Sequence, residues 1–369
     1  MDQDPNQPTQ QQSYPQLRAP LSSRVRSLAT ALKPGKTTFP RLGRYLKAFF
    51  LDHWLDLVGI LIVVGIAGVI WIIPARPPLL FPLLTPDGAT YNPFIGYPYV
   101  TPILSSLLTG LLCGFIPLAV ILLSQVFIRS FADFSSATLG LLYSLVTGTC
   151  FQVILKKSIG GLRPHFLSVC RPVVPEGLVG SGYHGMMYRV EDVCTGNSKD
   201  ITNALQSFPS GHSEIAFAGL GYLSIYLFAH LQIGDASKMR KRGFWCMILV
   251  LMPILFATYI SSALVLGYHH HAHDCLFGAA IGCLTAVLGY RIAFRSLLNA
   301  RMNWRPRVGR RLKRAIDTES ERGSEKRPER DAAPDGTGHG SALRRPSPGR
   351  GEIRSESDTG DELETDTRV

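Results

Sequence analysis

The chain has 369 residues, with 38 Lys and Arg against 27 Asp and Glu, a net charge of +11, and 46% hydrophobic residues gathered in blocks between polar ends. That distribution excludes a uniformly soluble globular domain and points to a membrane protein with soluble tails. The positive charge does not call for nucleic acid, because it falls where membrane proteins keep their cytoplasmic residues.

A bilayer core about 30 Å thick is crossed by roughly 20 helical residues. Residues 1–50 read as a disordered basic cytoplasmic tail, polar and proline-rich at first, then carrying Arg24, Arg26, Lys33, Lys36, Arg41, Arg44 and Lys47. Six apolar stretches follow within 51–297, at about 53–74, 103–128, 136–155, 211–232, 244–266 and 275–294. The first begins too far into the chain, and is too long, for a cleaved signal peptide. Residues 298–369 read as a second disordered, charged cytoplasmic tail. No internal repeat is evident.

Polar islands interrupt this pattern at particular places. The exit of the third stretch reads "LKKSIGGLRPHF", with Lys156, Lys157 and Arg163 around Gly160 and Gly161. An interfacial basic patch is the ordinary reading. Arg supplies a planar fork for phosphate oxygens, however, and Lys a compact charge. The loop that follows holds Cys170 and Cys194, which can pair if it faces an oxidising compartment. The other five of the seven cysteines lie in or at the ends of apolar segments, and no CxxC or CxxH spacing suggests a metal or redox site.

The fourth stretch is preceded by "SFPSGHSE". Pro209 suits a first helical turn, whose free N–H groups bind anions. Ser210 adds a hydroxyl, Gly211 allows close approach to the backbone, and His212 suits proton transfer. The bland alternative is a Ser-Pro helix start with an incidental histidine. A basic loop at Lys238, Arg240, Lys241 and Arg242 comes next. Between the last two stretches lies "LGYHHHAHDC". Its four histidines invite a metal, but three are consecutive and point in different directions. His270 and Asp274 are four apart and share a helical face, a pairing in which the carboxylate fixes an imidazole tautomer. Interfacial polarity is the remaining alternative.

The positive-inside rule puts both ends and the loop near 240 in the cytoplasm, so the three islands share the non-cytoplasmic face. Basic juxtamembrane clusters also suit anionic lipid headgroups. Together the islands offer cations, a helix N-terminus and two histidines, which is what phosphoryl transfer requires.

The arrangement resembles the type 2 phosphatidic acid phosphatase, or lipid phosphate phosphatase, superfamily, with the signature K-x6-R-P, P-S-G-H and S-R-x5-H-x3-D. Lys156 to Pro164 matches the first part and Pro209 to His212 the second. The stretch "RPHFLSVCRP" looks most like the fungal diacylglycerol pyrophosphate phosphatases. The resemblance implies an all-α, six-helix membrane protein with a core of the vanadium-haloperoxidase-like type. It also implies a multi-pass enzyme of an endomembrane, vacuolar or plasma membrane that hydrolyses phosphatidate or diacylglycerol pyrophosphate, its site on the non-cytoplasmic face. No metal or other cofactor is implied. His270 would take the phosphoryl group, Asp274 orient it and His212 protonate the leaving group. Lys156, Arg163, Ser210 and Gly211 would hold the oxygens.

The third motif departs from the pattern. Ala263 and Leu264 stand where the family has Ser and Arg, and no neighbouring register restores the arginine. Losing one such donor costs about 10²–10³ in rate. Two alternatives therefore stay open: a weak or silent member that binds phosphorylated lipid, and a lipid phosphotransferase.

Overall fold

The computed structural model describes residues 38–73, 80–85, 91–234 and 243–325. The loop near 240 and the chain ends 1–37 and 326–369, for which the sequence raised expectations, lie outside them. Six long helices dominate: α1 (Thr38–Ile72), α2 (Ser106–Ile128), α3 (Phe131–Ser158), α7 (Gly211–His230), α8 (Trp245–Leu266) and α9 (Ala272–Ala293). Short pieces intervene between α3 and α7: α4 (Phe166–Cys170), α5 (Val190–Val193) and α6 (Ser198–Ala204). A two-stranded antiparallel ribbon joins β1 (Phe81–Pro82) to β2 (Met187–Tyr188).

Five of the long helices are long and apolar enough to cross a membrane, rather than the six expected. The exception is α7. It packs against α2, α3, α8 and α9, so it stands at the centre of the bundle and meets protein where the others meet lipid. Its buried surface is accordingly polar in places, and neighbouring helices satisfy the polar groups. Tyr222 donates to the Ala137 carbonyl at 2.8 Å, Ser224 to the Val250 carbonyl at 2.7 Å and Tyr226 to Asp133 at 2.9 Å. Such pairing is required where water is absent. By contrast α1 leans on α3 and exposes Leu55, Leu61, Ile62, Val69 and Ile72.

Close helix approach in lipid depends on small residues, because apolar side chains gain little from leaving an apolar solvent. Gly282 of α9 lies against the α7 backbone, where an added methyl would be driven into the Glu214 carbonyl oxygen. Tyr222, Tyr226, Tyr290 and Phe294 fill the other end of this seam with Ile121 and Leu141.

At the opposite end of the bundle sits a small cap with its own core of Phe81, Leu83, Ile95, Phe166, Leu167, Tyr188 and Val193. Cys170 and Cys194 form a disulfide inside it. The stretch from 298, expected to be disordered, instead carries α10 (Arg310–Glu325). Asp52 accepts from the backbone N–H groups of Arg311 and Leu312 at 3.3 and 2.9 Å, capping the helix at its positive end. Arg44 pairs with Glu319 at 2.7 Å. The sequence hid this helix because its anchor, Asp52, lies 259 positions away from Arg311.

Gly282→Ala should destabilise the protein in detergent by about 1–3 kcal/mol, the usual cost of forcing extra volume into a packed contact. Gly59→Ala on α1, where an added methyl meets nothing within 4 Å, should be neutral or gain up to about 1 kcal/mol of helix propensity. Thermal unfolding of the two variants side by side checks the contrast.

Candidate phosphoryl-transfer site

The three islands meet at one end of the bundle because the segment before α7 is bonded to both of the others. Gly161 N–H donates to the Leu205 carbonyl at 3.0 Å, while Ser207 and Phe208 donate back to Gly161 and Gly160 at 2.9 and 3.0 Å. Gly160 has a φ of +64°, a conformation that side chains rarely adopt, which lets the chain leave α3 and turn along this segment. On the other flank Ser210 N–H donates to the Asp274 carbonyl at 3.1 Å, and the Ser207 hydroxyl to Asp274 Oδ2 at 2.5 Å.

Lys156, Arg163, Gly211, His212 and His270 thereby line one cavity of 510 Å³, with Gln152, Asn203 and Glu214 and with Trp71 of α1 at its wall. Asp274 stands behind His270, buried, in the first turn of α9. His270 Nδ1 lies 3.6 Å from Asp274 Oδ2, just outside hydrogen-bond reach. Asp274 is fixed independently, accepting from the His271 N–H at 3.0 Å as well as from Ser207. Lys157, the other lysine of the island, lies over the Trp71 ring at 5.4 Å.

Ser210 differs from the expectation. It is buried outside the cavity lining, and its hydroxyl accepts from Ser213 N–H at 3.5 Å, capping its own helix. Ser207, Gln152 and Asn203 were not singled out from the sequence. Ser207 holds Asp274, Gln152 donates to the Pro209 carbonyl at 3.2 Å, and Asn203 accepts from Arg163 at 3.0 Å. Only its place beside the motif marks Ser207, since its partner is 67 residues distant.

Among the described residues, eight buried side-chain polar atoms lack a hydrogen-bond partner. Five belong to this end of the bundle: Arg163 Nε, His212 Nε2, Glu214 Oε1, His269 Nε2 and His270 Nδ1. Buried polar atoms are ordinarily satisfied, and a polar ligand would supply partners at this end. Burial pushes the Arg163 guanidinium down to about 10, leaving it charged at neutral pH. Burial, with the nearby Arg163 and Lys156 charges, lowers His270 to about 3. His269 falls to about 4 and His165 is also lowered, burial being the main cause in each. His270 is therefore neutral and nucleophilic at neutral pH. His271 moves upward, chiefly through the Asp274 carboxylate 3.6 Å from its ring. Among the described residues, His271, His273 and Asp274 beside this cavity offer ligand atoms within 4.8 Å of one another and could hold a metal ion.

A family model described as the PAP2 superfamily matches residues 137–297. The chain is 35% identical over 208 residues to a PA-phosphatase related-family protein of Dictyostelium discoideum, covering 55% of each chain. It is 30% identical over 252 residues to a second protein of that description from the same organism, covering 67% of this chain and 71% of the relative. It is 31% identical over 215 residues to diacylglycerol pyrophosphate phosphatase 1 of Saccharomyces cerevisiae, covering 58% and 67%. The chain thus spans about half the length of the first of these relatives. No solved structure matches it.

The histidine shifts set a pH dependence of stability. For His165, His269 and His270 the folded pKa lies below the unfolded value of about 6.5, so the unfolded chain takes up protons first as pH falls. Their contribution is complete above that value and is lost progressively below it. His271 opposes them, contributing below about 6.5 and losing its effect as pH rises further. Three against one, the melting temperature in detergent should fall from pH 7.5 to pH 5, and His269→Asn should flatten the slope. A melting temperature that rises on acidification would contradict the burial of neutral histidines.

Proposed function

The chain belongs to the PAP2 superfamily, and from that premise we propose that it is a phosphatase of lipid phosphates that works through a phosphohistidine without a metal ion. The observation that carries the reading is the single 510 Å³ cavity that gathers Lys156, Arg163, Gly211, His212 and His270 from three separate islands.

His270 Nε2 attacks phosphorus while Nδ1 faces Asp274. The N–P bond forms as the bond from phosphorus to the leaving oxygen breaks, and its electron pair stays on that oxygen, which takes a proton from His212. Water then attacks phosphorus and gives His212 a proton as the N–P bond breaks, its electron pair returning to His270 Nε2. Phosphate departs and His270 is restored. Lys156, Arg163 and the Gly211 N–H hold the non-bridging oxygens, where fixed donors count most in transition-state charge stabilisation. Asp274 fixes the tautomer of His270, and Ser207 holds Asp274. Ser210 is assigned to positioning, because it lies outside the cavity lining and its hydroxyl oxygen caps α7.

The catalytic unit is placed within 51–297, with α7 as a sixth crossing; at 20 residues it spans about 30 Å. Six crossings put both tails in the cytoplasm and the site on the opposite face. The Cys170–Cys194 disulfide in the cap supports that side, since disulfides persist in oxidising compartments. Protease removal of the C-terminal tail from sealed, outward-facing cells would contradict it. Leu264 in place of an arginine favours one second reading, a weak or silent member that binds phosphorylated lipid.

Purified protein in detergent should release phosphate from phosphatidate with EDTA present. His270→Ala should lose nearly all turnover. His212→Ala should lose about 10²–10⁴-fold on lipid substrates and less on aryl phosphates, whose leaving groups need little protonation. Activity abolished by EDTA and restored by zinc would move the chemistry to His271, His273 and Asp274. Equal background rates in all three proteins, with lipid phosphate still bound, would leave the binding reading.

A further inference from the structure

Next to the polar cavity lies a second one, of 290 Å³, and His212 lines both. The second is enclosed by the chain preceding α2, including Val100 and Leu104, and by the last turns of α8, including Tyr259, Ala263 and Leu264. Among the described residues no Lys, Arg, Asp or Glu lines it, and its polar side chains are His212, His269, Thr101, Ser262 and Tyr259. At its rim Ile103 and Leu266 are 76% and 78% exposed on the apolar surface of the bundle, so the cavity runs from His212 outward to the region that lipid covers.

Leu264 is the wall that decides the character of this space. It is buried, and its carbonyl accepts from the N–H groups of His269 at 2.9 Å and His270 at 3.4 Å. Position 264 is thus tied to the backbone of the proposed nucleophile while its side chain faces the apolar cavity beside the proposed acid. An arginine here would add a charge beside His212; leucine keeps this wall apolar.

Resting on the phosphatase reading above, we infer that the apolar cavity receives the leaving-group side of the substrate and that Leu264 makes the chain selective for lipid phosphate monoesters over lipid pyrophosphates. With a monoester, the bond from phosphorus to the alkyl oxygen breaks, the proton of His212 passes to that oxygen, and a neutral alcohol carrying its acyl chains is left in an apolar space. With a diacylglycerol pyrophosphate, the group that departs is itself a phosphate ester. It would carry its negative charge into a cavity with no Lys or Arg, and burial of an unpaired charge is strongly unfavourable. Attack on the outer phosphorus therefore lacks a place for the inner one.

The test uses the purified full-length chain in mixed micelles, with phosphatidate and diacylglycerol pyrophosphate at equal surface mole fraction. The kcat/KM for phosphatidate should exceed that for the pyrophosphate by at least about tenfold, the scale on which a site rejects a partner that leaves polar groups unpaired. Leu264→Arg should narrow the ratio, mainly by raising the rate on the pyrophosphate. Wild-type protein that hydrolyses the pyrophosphate as well as or better than phosphatidate would overturn the inference. If Leu264→Arg does not fold, Ala263→Phe, which fills the cavity from its half-buried wall, provides the second arm. It should raise KM for long-chain phosphatidate several-fold, and by more than it raises KM for p-nitrophenyl phosphate, whose leaving group is smaller. An unaltered KM for phosphatidate would remove the cavity from the substrate path. Wild-type rates on both lipids no higher than those of His270→Ala would instead overturn the phosphatase reading, and the selectivity with it.

Discussion

The site rests on a short run of backbone hydrogen bonds that pins residues 205–210 between two other segments. On one flank Leu205, Ser207 and Phe208 pair with Gly160 and Gly161; on the other, Ser210 N–H meets the Asp274 carbonyl. These bonds join the end of α3, the start of α7 and the start of α9 at one level of the bundle. A helix end leaves several backbone groups without internal partners, and here those groups are part of what binds one polar island to the next. The helix packing below follows the same logic, with Gly282 allowing α9 to lie against the α7 backbone.

Charge is the second constraint. Lys156 and Arg163 line a cavity with Glu214, His212 and His270, and Asp274 is already engaged by Ser207 and the His271 N–H. Buried cations suit a phosphate dianion that arrives with its own charge. The same cations help keep His270 unprotonated, so the feature that attracts an anion also preserves a nucleophile. The Asp274 carboxylate behind the imidazole counters part of that effect.

The long helices were legible because apolar length is a strong local signal, and their ends fall within a few residues of the expected positions, except for α1, which starts at Thr38. The departures share a cause. The sequence could not show that α7 is enclosed by four other helices, so its Ser, Glu and Tyr residues read as part of an ordinary crossing. Nor could it show Asp52 capping α10 or Ser207 holding Asp274, since each depends on a partner far along the chain. Five of the residues singled out by the motifs share one cavity, while Ser210 lies outside its lining and accepts from Ser213 N–H within its own helix. Leu264 was visible as a departure from the motif; that it faces a separate apolar cavity beside His212 required the fold.

The central claim is that His270 carries the phosphoryl group. Its direct measurement is rapid quenching of the purified chain during turnover of a lipid phosphate, followed by alkaline-side peptide mapping by mass spectrometry. The account predicts one acid-labile, alkali-stable phosphoryl group on the peptide containing His270, absent in His270→Ala and longer-lived in His212→Ala, where attack by water is slowed. A phosphoryl group on any other residue, or turnover with His270 never phosphorylated at any quench time, would contradict it.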